Sequence, residues 1–128
     1  QHLLWRRIDD EMRQMRSDGM IFGSHGLNHF WLNYLNKSEQ EVEIYKSIEY
    51  LKEKKLILKN DPLVMCYPYG GYNSETLQIV EHLNIDYSLT TKIGSTDSSS
   101  YRSKHELSRW DTNHCWDNDY RKPIHPQK

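Results

Sequence analysis

Apolar positions along this chain follow two periods, and the two take turns. Leu4, Ile8, Met12 and Met15 recur at spacings of four, four and three, which predicts a helix from about residue 3 to Asp18. Gly19 is placed to end that helix in the left-handed region. Met20-Ile21-Phe22 then reads as a short buried strand, closed by Gly23-Ser24. A polar and aromatic loop covers 26–37. Ser38 and Glu41, three residues apart, read as a capping box for a second helix with Ile44, Ile48 and Leu51 on its inner face and an end near Lys55. Pro62 interrupts before a second apolar strand, Leu63 to Tyr67, and the turn Pro68-Tyr69-Gly70-Gly71-Tyr72-Asn73 follows. Asn73 is the natural N-cap of a third helix that places Leu77, Val80 and Leu83 on one side. Asn84 is suited to the left-handed position that closes it, and a third strand is expected at Ile85–Thr91.

Helix, strand, helix, strand, helix, strand is the order that parallel strands with covering helices require. The expected class is therefore α/β, either a barrel or an open sheet. The near-continuous apolar strands agree, because parallel strands are buried on both faces. Beyond Gly94 the periodicity dissolves, and 95–128 reads as an irregular segment after a core at about 3–94. In such folds the sites gather at the carboxyl ends of the strands. The turn after the first strand carries His25 and His29, and the turn after the second carries Pro68-Tyr69-Gly70, so both belong to one face.

Composition narrows the field. With 128 residues the chain holds one domain's worth of sequence, and 17 basic residues against 18 acidic leave a net charge of −1. That balance gives no electrostatic footprint for nucleic acid or an anionic membrane. No apolar run approaches the roughly 20 residues of a membrane span. Cys66 and Cys115 are far apart and indicate neither a disulfide framework nor a cysteine zinc site; oligomeric state and compartment are not legible.

The two histidines of Ser24-His25-Gly26-Leu27-Asn28-His29 lie four positions apart. On a helical turn, positions i and i+4 share a face, so two neutral imidazoles can converge on one divalent cation such as zinc. The bland reading is a pair of loop histidines in a chain that contains seven. The aromatic residues Tyr69, Tyr72, Trp110 and Trp116 divide the same way, between sugar stacking and packing. Arg109 beside Trp110 reads either as a surface ion-pair partner or as an arginine orienting a site carboxylate.

Gly19 to His29, the Glu-rich helix after it, and Cys66-Tyr67-Pro68-Tyr69-Gly70-Gly71-Tyr72-Asn73 together resemble the polysaccharide deacetylases of carbohydrate esterase family four. The resemblance covers about residues 3–94 and extends through Leu107-Ser108-Arg109-Trp110-Asp111-Thr112-Asn113. It implies part of a distorted (β/α) barrel and a divalent metal, often zinc, held by an aspartate and two histidines that match His25 and His29. The implied chemistry removes an N-acetyl, or sometimes an O-acetyl, group from a glycan or amino sugar. The metal would polarise the acetyl carbonyl and acidify a bound water. An aspartate would act as base, the Tyr69 backbone N–H would help hold the oxyanion, and a histidine late in the chain would protonate the leaving group. His105, His114 and His125 are candidates for that acid by position, with His114 preferred. Pro68, Tyr69, Gly70, Tyr72, Arg109 and Trp110 make up the expected substrate surface.

Departures from the family pattern set a second expectation. The Asp-Asp pair that supplies base and carboxylate ligand precedes the histidine motif on a strand, whereas the 24 residues before His25 read as one helix. Asp9-Asp10 sits inside that helix and is not taken as the pair. Residues 1–128 alone are therefore expected not to deacetylate efficiently. The alternative is a non-catalytic carbohydrate- or metal-binding domain of the same fold.

Overall fold

Strand pairing follows chain order, which is the arrangement a growing (β/α) barrel produces. The computed structural model describes residues 2–96 and 103–111, with residues 2–5 as backbone only. Helix α1 spans His2–Ser17, α2 Lys37–Glu53 and α3 Ser74–His82, while β1 is Val64–Cys66, β2 Tyr87–Ile93 and β3 Leu107–Arg109. The three strands form one parallel sheet in the order β1-β2-β3. Val64 faces Tyr87 and Cys66 faces Leu89; the β2–β3 register shifts between Leu89, opposite Leu107, and Ile93, opposite Arg109. Strand β3 lies in the segment that periodicity left irregular, where three residues are too few to show alternation.

Local chemistry closes α1 and α3 as the sequence leads one to expect. After α1, Gly19 takes φ 98°, Met20 N–H donates to Met15 C=O at 3.1 Å and Gly19 N–H to Arg16 C=O at 3.1 Å. These are the paired bonds of a Schellman end. Asn84, at φ 54°, closes α3 in the same way, with Ile85 N–H on Val80 C=O at 3.0 Å. Lys55 does this for α2 at φ 59°, with no glycine to mark it. Asn73 caps α3 through a reciprocal box with Thr76.

Two expectations are corrected. The capping box of α2 is Asn36 with Glu39, not Ser38 with Glu41. Asparagine is among the best N-cap residues, and starting there places Glu39 at N3, where its carboxylate reaches back to the Asn36 N–H. The buried strand expected at 20–24 is reduced to a single parallel bridge at Ser24. Ser24 N–H donates to Val64 C=O at 2.8 Å and Cys66 N–H to Ser24 C=O at 2.9 Å. Met20 and Ile21 are 53% and 60% exposed, because among the described residues β1 flanks the segment on one side and no strand flanks the other. Gly23 makes the approach to β1 possible, since a Cβ there would stand 2.8 Å from the Val64 carbonyl oxygen.

The core lies between the sheet and helices α2 and α3: Leu32, Ile44, Ile48, Met65, Tyr67, Ile79, Val80 and Ile85 are all buried. Two ion pairs tie α1 to the rest, Arg16 with Asp61 at 2.6 Å and Asp9 with Lys54 at 2.7 Å. The hydrogen bond that Lys54 donates to the Asp9 carboxylate raises the lysine's pKa. The inner face of α2 is not purely apolar. Gln40, Glu43 and Ser47 are buried on it, in step with Ile44 and Ile48, and each reaches a different part of the chain.

Candidate active site

Ser24 and β1 end side by side, so the turns that follow them share one mouth. His25 Nδ1 lies 2.8 Å from Cys66 C=O. A carbonyl only accepts, so Nδ1 carries the proton and the Nε2 lone pair is left for another partner. The His29 Nε2 stands 3.0 Å from His25 Nε2, with the ring centroids 4.7 Å apart. Two nitrogens at that separation share either a proton or a cation. Ligands of one zinc ion at 2.0–2.1 Å lie roughly 3–3.5 Å apart, so the pair fits as two ligands of one metal. The bond to the Cys66 carbonyl is the outer-shell contact that fixes tautomer and ring in metal-bound histidines. Among the described residues no third histidine, cysteine, aspartate or glutamate joins them. Asp9 and Asp10 are on α1, paired with Lys54 and Arg13.

A helical turn is not what brings the rings together, contrary to the premise of their spacing. Residues 25–29 form a loop in which Gly26 has φ 79° and His29 φ 60°. Left-handed backbone costs a non-glycine residue about 1–2 kcal/mol, so something must hold His29 there. The holder is Glu43 of α2. Its buried carboxylate accepts Asn28 N–H at 2.8 Å and Leu27 N–H at 3.2 Å on Oε2, and Asn28 Nδ2 at 2.5 Å on Oε1. Ser24 is tied to the same helix through Ser47, Oγ to Oγ at 2.5 Å. The signal for both contacts was a polar residue at the helical phase of Ile44 and Ile48.

Tyr69 is the second non-glycine residue here in left-handed backbone, at φ 56° and ψ 11° inside the 3-10 turn Pro68–Gly70. Its N–H donates no hydrogen bond among the described residues, while Gly70 N–H and Gly71 N–H return to Tyr67 and Pro68 carbonyls at 2.9 Å. Its ring lies 4.5 Å from that of His29 and stacks on Trp31 at 4.7 Å with planes 7° apart. Tyr34 meets the edge of Trp31 at 5.9 Å, and Trp31, Tyr34 and Tyr69 are all exposed. The sequence pointed to Tyr69 and missed Trp31 and Tyr34, because aromatics in an irregular loop carry no periodicity. Pro68 is buried against Gly26, and Gly70, at φ 71°, has no room for a side chain beside Thr91.

Other expected site residues have structural partners. Tyr72 stacks on Tyr67 at 4.8 Å and its hydroxyl donates to Glu106 at 2.8 Å, which places it against the core. Arg109 Nε donates to Thr90 C=O at 2.9 Å and its charge favours the Cys66 thiolate, although burial is the larger effect and pushes that thiol up. Trp110 Nε1 reaches Ser95 Oγ at 3.3 Å. His114, His125 and Trp116 lie outside the described residues. His105 is buried, with Nδ1 3.0 Å from Ser88 Oγ and Nε2 2.8 Å from Glu81, so both ring nitrogens are engaged. Serine, histidine and glutamate here have the composition of a hydrolase triad, but Ser88 is wholly buried and offers no nucleophile to a substrate. The Tyr67 hydroxyl donates to the His105 carbonyl at 2.9 Å, and burial pushes its pKa up to about 12.

Comparison with known proteins bears on the family and the fold. The family model described as polysaccharide deacetylase matches residues 2–88. A curated relative from Bacillus subtilis (strain 168), named "Putative polysaccharide deacetylase YxkH", is 31% identical over 98 residues. That match covers 73% of this chain and 33% of the relative, so the chain spans about a third of its length. The solved structure of the Streptococcus pyogenes deacetylase PplD in complex with acetate superposes with a TM-score of 0.70 at 31% identity. It covers 79% of this chain and 42% of that one. The parallel sheet described above is thus consistent with part of a (β/α) barrel.

Proposed function

The chain belongs to the polysaccharide deacetylase family, and from that membership we propose that the protein carrying it hydrolyses acetyl groups on a glycan or amino sugar with a divalent metal, zinc for preference, held in part by His25 and His29. The observation that carries this reading is the 3.0 Å separation of the two Nε2 atoms, with His25 already oriented through Nδ1. A metal bound there supplies a Lewis acid for the acetyl carbonyl and lowers the pKa of water. The residues of this chain do the rest by position. His25 keeps its Nε2 lone pair available because Nδ1–H is committed to Cys66 C=O. The Tyr69 N–H, which has no partner among the described residues, is the donor for the developing oxyanion. Trp31, flat against Tyr69, offers a face for a sugar ring next to the histidines. The third ligand comes from outside the described residues, since none of these completes a set of three; the family resemblance puts the general base beside it. The acid, for which His114 is the candidate, lies outside them as well. PplD is named in complex with acetate, the product that this chemistry releases.

The test is metal content and acetate release by the full-length protein on N-acetylglucosamine oligomers, beside His25→Ala and His29→Ala. We expect one metal per wild-type chain, and at least a 100-fold loss of metal affinity and of turnover in either variant, on the order of what loss of a ligand brings. Stoichiometric glycan binding without acetate release would favour a non-catalytic carbohydrate-binding domain of the same fold.

A further inference from the structure

Glu43 is a carboxylate buried to 5% exposure with no lysine, arginine or histidine paired to it among the described residues. Burying a charge is costly unless hydrogen bonds replace its water. Three do, and all come from the loop between His25 and His29: the Leu27 N–H, the Asn28 N–H and the Asn28 side-chain amide. An ionised carboxylate is acceptor-only, so it alone can take three donors without presenting one of its own. Gly26 completes the clamp, because it has φ 79° and a Cβ there would stand 3.4 Å from Pro68 Cγ and 3.7 Å from Glu43 Oε2. The residue after Asn28 is His29, held at φ 60° with Nε2 directed to His25.

We propose that Glu43 is the positioning residue of the histidine pair: by gripping Leu27 and Asn28 it holds His29 in left-handed backbone and sets the two Nε2 atoms at metal-binding separation. The inference rests on the reading that the pair binds a metal, and adds which residue of α2 makes it competent to do so. Glu43 touches neither imidazole, so its effect passes through the loop backbone. Replacing it by glutamine keeps the shape but removes the charge and one acceptor oxygen, so the grip on the two backbone N–H groups and the Asn28 amide weakens. His29 then leaves the left-handed region and the pair opens.

The experiment titrates zinc into the metal-stripped full-length protein, and records the visible spectrum of its cobalt(II) form, for wild type, Glu43→Gln and Asn28→Ala. Glu43→Gln is expected to bind zinc about 10–100-fold more weakly, the range for outer-shell partners, with a changed cobalt spectrum. Asn28→Ala loses one of three donors and is expected to bind several-fold more weakly with its fold intact. Wild-type zinc affinity and spectrum in a folded Glu43→Gln overturn the proposal, and if Glu43→Gln does not fold, wild-type behaviour of Asn28→Ala overturns it. Wild-type protein that takes up no zinc removes the parent reading and this one together, an outcome distinct from equal binding by all three.

Discussion

His29 and Tyr69 touch ring to ring at 4.5 Å, and each holds its backbone in the left-handed region that side chains avoid. Two strained residues in contact, at the ends of two parallel elements, mark where this fold gives up stability for placement. The contact joins the imidazole of one turn to the backbone donor of the other, so displacing either turn disturbs both.

Trp31 lies on the outer side of that contact, stacked on Tyr69. Trp31→Ala should raise KM for an acetylated oligosaccharide about 10-fold, from the loss of about 1–1.5 kcal/mol of aromatic contact, and leave kcat within about two-fold. Steady-state acetate release on oligomers of increasing length measures it. An equal fall in kcat with KM unchanged would assign Trp31 to the turn's geometry instead.

Gly70 and Gly19 both have positive φ, at 71° and 98°, but differ in surroundings. A Cβ on Gly70 runs into the Thr91 side chain, whereas Gly19 has nothing within 4 Å. Gly19→Ala should cost about 1 kcal/mol and Gly70→Ala about 2–4 kcal/mol, the excess being steric. Urea unfolding of the two variants reads the difference directly.

Tyr67 makes stability depend on alkaline pH. Its hydroxyl has a pKa of about 12 in the fold against 10.0 ordinarily. Below pH 10 both states keep the proton and the group adds no slope. Between pH 10 and 12 the unfolded chain loses it first, so stability falls as pH rises, by at most about 2–3 kcal/mol. Unfolding midpoints at pH 9 and 11 should show that fall in wild type and a smaller one in Tyr67→Phe.

Cys66 should be slow to react. Burial raises its thiol pKa, only partly offset by Arg109. In a Cys115→Ser background, thiol titration at pH 8 should proceed at least 10-fold more slowly in the native protein than in urea. A native rate equal to the denatured one would place the sulfur in open solvent.

Much of this architecture was legible because it rests on local rules. The Schellman ends at Gly19 and Asn84, the Asn73 cap and the inner positions Ile44 and Ile48 all follow from residue type and period. The strand at 20–24 was overread because apolar composition records what a segment is fit to bury, not how many neighbours flank it. Strand β3 was too short to announce itself. At the site, the spacing of His25 and His29 pointed to two rings that do lie together, but for a reason the structure replaces. Loop conformation, set by Gly26 and by a carboxylate 15 residues past Asn28, brings the rings together. Contacts of that kind join residues distant in sequence and leave no periodic trace in either partner.

The polar trio on the inner face of α2 also bears on how this chain can change over generations. Gln40 reaches the α3 cap through Thr76 and Asn73, Glu43 the histidine loop, and Ser47 the end of the Ser24 segment. A substitution at any of the three removes the hydrogen-bond partner of a residue elsewhere, so acceptable changes come in pairs: 40 with 73 or 76, 43 with 28, 47 with 24. The outward positions of the same helix, Val42, Tyr45 and Tyr50 among them, are exposed and answer to no such partner. In descendants of this sequence one face of α2 is expected to drift freely, while the other moves only when its correspondents in three separate turns move with it.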